Sequence, residues 1–249
     1  MGSMQMQRWL WIDIENYTQR NLTYPSDSLN GFRGFLNHYR QITGGKLLDI
    51  WGLPYEPEGK PCFKVESLCW SHNPISFSEY GVPIGRRADF PSWSWAGWSG
   101  AVSLPDYLPW ARLQHMELIK VMDGSLGPNS ILKVNAVFLK TDAVRQCIEQ
   151  KDALRIHAGS ETRMLELSKE LVENELEYRL ALTLSGIHPA SSYDVVALIL
   201  QWTPERHSYA RVGVAELISP GGGPMLEKSG EWFYQPFVGE QERQVILIE

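Results

Sequence analysis

The stretch DVVALILQW, residues 194–202, is a nearly continuous apolar run that predicts a central β-strand. Two segments before it, ILKVNAVFL at 131–139 and YRLALTL at 178–184, alternate apolar and polar residues as half-buried strands do. Two after it, YARVGVAEL at 209–217 and RQVILIE at 243–249, predict further strands. The C-terminal half is therefore expected to be rich in β-structure.

Helical periodicity dominates the N-terminal third. One apolar helix face consists of Leu29, Phe32, Leu36 and Tyr39. Ser26 or Asp27 is placed to cap the start of this helix, and Gly44-Gly45 is placed to end it. A short helix is predicted around 7–20, and one helix at 161–176, with Met164, Leu167 and Leu171 on one face, interrupts the β-rich half.

These patterns predict an α+β fold with an antiparallel β-rich core, barrel- or sandwich-like, and a helical N-terminal segment. A single domain over 5–249 is expected. It divides into a helical part at 8–45, a Trp-, Pro- and Gly-rich part with short strands at 46–110, and a β-rich part at 111–249.

Composition excludes several classes of function. The formal charge is −6 and the basic residues are scattered, so we expect no nucleic-acid partner. No apolar run is long enough for a membrane span, and no secretory signal is recognisable. The three cysteines, Cys62, Cys69 and Cys147, fit reduced thiols in a cytoplasmic protein. No ligand-spaced histidines, phosphate-binding loop or nucleophile elbow occurs, so neither a metal nor a cofactor is predicted.

Three tryptophans crowd the segment RRADFPSWSWAGWSG, residues 86–100, which we call the tryptophan-rich segment. This segment and YTQRNLTYPSDSLNGFRGF at 17–35 resemble the region that follows the signalling domain in fungal heterokaryon-incompatibility (HET-type) proteins. WGLP, LCW, YARVGVAEL and VILIE follow the order of that family. The family's signalling domain is not among these residues, so its cell-death role is not carried over.

Stand-alone proteins similar to this region occur in fungal natural-product clusters and include a Diels–Alderase of diterpenoid biosynthesis. The resemblance therefore implies a cofactor-free cyclase or pericyclase as one candidate function. Such an enzyme needs no nucleophile or metal: it folds an apolar substrate into a reactive conformation and donates a hydrogen bond to its carbonyl.

Aromatic walls and hydrogen-bond donors for that chemistry are available between residues 70 and 110 and at 202. The candidate catalytic donors are His72, Tyr80, Arg86 and Arg87. The candidate substrate-binding residues are Trp70, Phe77, Trp93, Trp95, Trp98, Trp110 and Trp202. If the tryptophan-rich segment only maintains the fold, a pocket beside it is expected instead, with His115, Tyr209, Trp232, Phe233 and Tyr234 as further candidates.

The fold-maintenance alternative assigns different roles to the same residues. Trp93 and Trp95 point to one face of an extended segment and can both be core. Asp89 would pair with Arg86 or Arg87, Arg20 with Asp27 or Glu15, and Gly97 and Gly100 would permit tight turns. A Cys69–His72 thiol–imidazole pair is also considered, against a simple buried thiol.

Three functions follow. The first is a cyclase acting on a hydrophobic terpenoid or polyketide, with that small molecule as partner. The second is a non-enzymatic regulatory or interaction module of a HET-type protein, which predicts an exposed apolar surface. The third is ligand sensing without turnover. Whether the chain forms a homodimer is left open by the sequence.

Overall fold

The apolar run forms, over residues 195–202, a central strand of a closed barrel. In this computed structural model the described residues are 3–55, 65–72, 85–104, 113–114, 116–122, 130–149, 154–157, 161–174, 176–185, 195–217 and 243–249. The helices are α1 (Ser3–Thr18), α2 (Arg33–Ile42), α3 (Thr141–Glu149) and α4 (Glu161–Glu173).

Short strands occupy the first half of the chain and long strands the second. The short ones are β1 (Leu48–Ile50), β2 (Leu53–Tyr55), β3 (Ser71–His72), β4 (Gly85–Arg86), β5 (Trp98–Ser99), β6 (Val102–Ser103) and β7 (Leu113–Gln114). The others are β8 (Glu117–Met122), β9 (Ile131–Phe138), β10 (Leu154–His157), β11 (Tyr178–Ser185), β12 (Val195–Thr203), β13 (Ser208–Leu217) and β14 (Gln244–Ile248). Within the described residues, the strands before residue 115 are two or three residues long and those after it are longer.

Five of the long strands close into a mixed barrel. β11 pairs with β12 and β12 with β13, both antiparallel. β13 runs parallel to β14, β14 pairs antiparallel with β9, and β9 returns to β11 through Phe138–Ala181 and Val137–Leu182. The predicted barrel-like α+β fold is therefore confirmed. The predicted antiparallel character holds for the other pairs of this ring, and β13 with β14 is its parallel pair.

Each face of the sheet packs against a different part of the chain. One face, which includes Leu198 and Val134, joins the N-terminal helices and the tryptophans in a single buried cluster. The opposite face, which includes Ile199 and Ala215, packs against α3 and α4. β12 is buried on both faces, which explains why its sequence is apolar almost throughout.

The helix at α2 starts later than predicted. Neither Ser26 nor Asp27 caps it: the chain makes two 3₁₀ turns first, and α2 begins at Arg33 without a side-chain cap. The Tyr17 hydroxyl donates to the Ser28 carbonyl at 2.9 Å, so that carbonyl binds a side chain from α1. The predicted apolar face is nonetheless buried, and Gly44 and Gly45 end the helix with positive φ.

Candidate functional site

The tryptophan-rich segment is a packed corner of the core in its described contacts. Trp70, Trp93 and Trp95 are fully buried. Their indole N–H groups donate to main-chain carbonyls: Trp70 to Trp93 at 3.2 Å, Trp93 to Ser130 at 3.1 Å and Trp95 to Gly52 at 2.9 Å. Each indole thus ties two distant chain segments together, which is the role that the fold-maintenance alternative gives them.

Small residues allow this close packing. Ser94 caps the 3₁₀ turn Trp95–Gly97 by accepting from the Ala96 N–H, and its hydroxyl donates to the Trp51 carbonyl at 2.6 Å. A Cβ at Gly97 would lie 2.4 Å from the Pro91 carbonyl oxygen. Gly97 is therefore required by a close approach of backbone and not by its φ angle.

Arg86 and Arg87 use their guanidinium groups to hold this segment together. Arg86 donates to the carbonyls of Arg87, Phe90 and Gly97, the last at 2.9 Å. Arg87 donates to the Ser28 hydroxyl at 3.0 Å and to the carbonyls of Ala96 and Trp98. Burial lowers the pKa of both groups.

The predicted ion pairs of Asp89 and Arg20 are wrong. Among the described residues Asp89 pairs with neither arginine, because backbone carbonyls already bind their guanidinium groups. Arg20 instead lies 6.0 Å from the Tyr17 ring centre.

A fully buried arginine that the sequence analysis did not single out supports the same corner. Arg211, on β13, donates to the carbonyls of Leu68 and Trp70, and its guanidinium carbon lies 3.6 Å from the Trp70 ring centre. Burial lowers its pKa to about 9. The sequence signal that could have identified this residue was a charged side chain, Arg211, inside an otherwise apolar predicted strand.

His72 lies between two tryptophan rings. Its ring centre is 5.7 Å from that of Trp70 and 5.8 Å from that of Trp98, both edge-on. Burial, together with the positive charges of Arg211 and Arg87, lowers the pKa of His72 to about 3, against a backbone hydrogen bond at Ser99 that raises it. Because Nε2 has no partner among the described residues, this hydrogen bond involves Nδ1. A neutral ring bound in this way presents a lone pair at Nε2 and not the predicted donor.

The thiol–imidazole pair is not formed by the described contacts. The Cys69 thiol lies 3.6 Å from the Thr183 hydroxyl of β11.

Trp98 is half-buried and donates from its indole to the Ser92 carbonyl at 2.8 Å. Tyr80, Phe77, Trp110, His115, Trp232, Phe233 and Tyr234 lie outside the described residues.

Trp202 belongs to a different place, the end of the barrel where β12 finishes and β13 begins. Here Phe138, Arg179, Trp202 and Tyr209 each lie at or next to the end of a different strand, and we call this set the barrel mouth. The Tyr209 ring centre lies 5.0 Å from that of Trp202 and 5.6 Å from that of Phe138. The Arg179 guanidinium carbon lies 3.7 Å from the Phe138 ring centre.

The barrel mouth differs from the tryptophan-rich segment in exposure. Arg179, Trp202 and Tyr209 are half-buried and only Phe138 is fully buried. The mouth therefore combines accessible aromatic surface with a guanidinium, the residue types expected of a site for a hydrophobic ligand with one polar group.

In the described parts of the chain, no three His, Cys, Asp or Glu side chains are grouped as metal ligands. None of the helices described has both the length and the apolar character needed to cross a bilayer. Comparison with protein-family models, with curated proteins and with solved structures found no match for this chain.

Proposed function

We propose that the chain is a cofactor-free cyclase that catalyses an intramolecular Diels–Alder-type reaction of a hydrophobic terpenoid or polyketide. The observation that supports this proposal is the barrel mouth, where half-buried rings and one guanidinium meet at the ends of four strands. The tryptophan-rich segment serves as the rigid support of the barrel and not as the wall of the site.

The reaction needs little from the protein beyond orientation. Diene and dienophile belong to one molecule, three π bonds become two σ bonds and one π bond, and no atom enters or leaves. Holding the two ends at reacting distance lowers the activation free energy by several kcal/mol, on the order of 7 or more in well-oriented cases. Trp202 and Tyr209 would press the folded substrate into that conformation, and Arg179 would bind one of its oxygens.

An assay of turnover tests this function. The purified chain is incubated with linear terpenoids that carry a diene and an unsaturated aldehyde, with and without a carboxylate, and the cyclised product is followed by chromatography with mass detection. We expect a rate above the buffer control, reduced about 10- to 100-fold by Trp202→Ala or Arg179→Gln and unchanged by the exposed control Arg145→Gln. A rate equal to buffer for such substrates would rule the cyclase out.

A second candidate, a non-enzymatic interaction module, is supported by a separate surface. The antiparallel hairpin of α1 and α2 exposes large apolar side chains: Trp9, Ile12, Phe35 and Ile42. Exposed large apolar residues on two packed helices are typical of a protein-binding face. This function predicts no turnover. It also predicts that Trp9→Glu abolishes the regulatory activity of the protein in cells and that Trp202→Ala does not.

A further inference from the structure

We propose that the barrel mouth selects hydrophobic ligands that carry an anionic group, with Arg179 as the residue that binds the anion. The inference rests on the proposed function for the identity of the site and adds the class of its substrate: an acid. Arg179 then anchors the substrate by its acidic end, and the aromatic rings hold the apolar part.

The first argument is the state of the Arg179 guanidinium. Among the described residues no carboxylate lies within ion-pair distance of it, and its one described partner is the Phe138 ring. Glu177, two residues earlier, instead accepts from the Gln201 amide at 2.9 Å. A guanidinium has five N–H donors that lie in its plane, and stacking on a ring face leaves all five unoccupied. These donors are left for a planar carboxylate or another anion, which they bind in a fork.

The second argument is the sign of the charge. An aromatic cluster such as Phe138, Trp202 and Tyr209 can bind either a cation on its ring faces or an apolar body. Here the Phe138 face already carries the positive charge of Arg179 at 3.7 Å. A second cation would be repelled by the first, whereas an anion would be attracted. The mouth is therefore matched to a molecule with an apolar body and a negative end.

The contrast with the other buried arginine sharpens the assignment. Arg211 lies on a tryptophan face in the same way, but it also donates to two carbonyls and is fully buried. Arg179 is half-buried and lies at a strand end. One arginine thus stabilises the fold, and the other is accessible to a ligand.

Two dyes with the same ring system test the proposal. 1-Anilinonaphthalene-8-sulfonate carries an anion, and N-phenyl-1-naphthylamine lacks it; binding of each is measured by fluorescence titration of the folded chain. We expect Arg179→Gln to weaken binding of the anionic dye about tenfold or more and to leave the neutral dye unchanged. Arg179→Lys should restore part of the difference, and Trp202→Ala should weaken both dyes.

Matched controls make each outcome decisive. Arg145→Gln removes an exposed arginine of α3 and should change neither titration, and circular dichroism confirms that each variant is folded. Equal binding of the anionic dye by Arg179→Gln and the wild type would overturn the proposal. So would equal loss of both dyes in Arg179→Gln. If the selectivity is present but the cyclisation assay shows no turnover, the anion site stands and the cyclase fails, which leaves ligand sensing.

Discussion

At the scale of single residues, His72 shows how burial decides protonation. The imidazole lies between Trp70 and Trp98, and burial together with Arg211 and Arg87 lowers its pKa to about 3. An unfolded chain has the ordinary value near 6.5. Between these two values the unfolded chain binds a proton that the folded chain does not.

We therefore predict that stability falls as pH falls from about 6.5 towards 3, by up to about 1.4 kcal/mol per pH unit from this residue. His72→Phe keeps an aromatic ring and removes the titration, so its unfolding free energy should depend less on pH in this window. Urea unfolding measured at several pH values checks this. The exposed control His38→Gln should retain the wild-type slope, and an identical slope in His72→Phe would contradict the prediction.

At the scale of elements, the 3₁₀ turn Trp95–Gly97 depends on one buried hydroxyl. Ser94 accepts from the Ala96 N–H at 3.0 Å and donates to the Trp51 carbonyl at 2.6 Å. Ser94→Ala leaves both backbone groups without that partner in the core, and we predict a loss of about 2 kcal/mol in unfolding free energy.

Ser168→Ala provides the matched control. Ser168 lies in α4, and its hydroxyl donates to the Met164 carbonyl one turn earlier. This bond is additional to the backbone hydrogen bonds of the helix. Its removal should change the urea midpoint little. Equal losses in the two variants would show that the Ser94 cap has no special role.

Elements with a clear period were predictable from sequence, and those set by long-range contacts were not. The alternation of 131–139 and 178–184 gave strands within one or two residues, because one face of each is buried and the pattern has to follow. The start of α2 was misplaced because the Tyr17 hydroxyl takes the Ser28 carbonyl, a contact across 11 residues. Neither the parallel pairing of β13 with β14 nor the return of β9 to β11 has a local signal.

The candidate site divides in the same way. Trp202 was predicted as a binding residue from its chemistry alone, but the ring it contacts is that of Tyr209, and Tyr209 in turn connects it to Phe138 and Arg179 on strands more than 20 residues away. Tryptophan count suggested walls of a pocket at Trp93 and Trp95, whereas both rings are buried in the core and their indole N–H groups donate to backbone carbonyls. The sequence determines which side chains are present, and closure of the barrel determines which of them come into contact.

At the scale of the whole molecule, β14 determines whether the barrel is closed. Ile246 is buried opposite Val134 of β9, while its neighbour Val245 is 57% exposed. We predict that Ile246→Asp lowers the unfolding free energy by about 3 kcal/mol or more, since it buries a carboxylate in an apolar cluster. Val245→Asp places the same charge in water and should change it by about 1 kcal/mol at most. Thermal unfolding of the two variants compares them directly, and similar melting temperatures would refute the closed barrel.

The position of β14 between β9 and β13 has a consequence for synthesis in the cell. Residues 244–248 are translated after every other strand of the barrel, so a ribosome has to deliver them before the ring can be completed. During that interval the border of β9 that β14 will cover is unpaired, and unpaired strand borders are the surfaces that holdase chaperones protect and that neighbouring nascent chains can join.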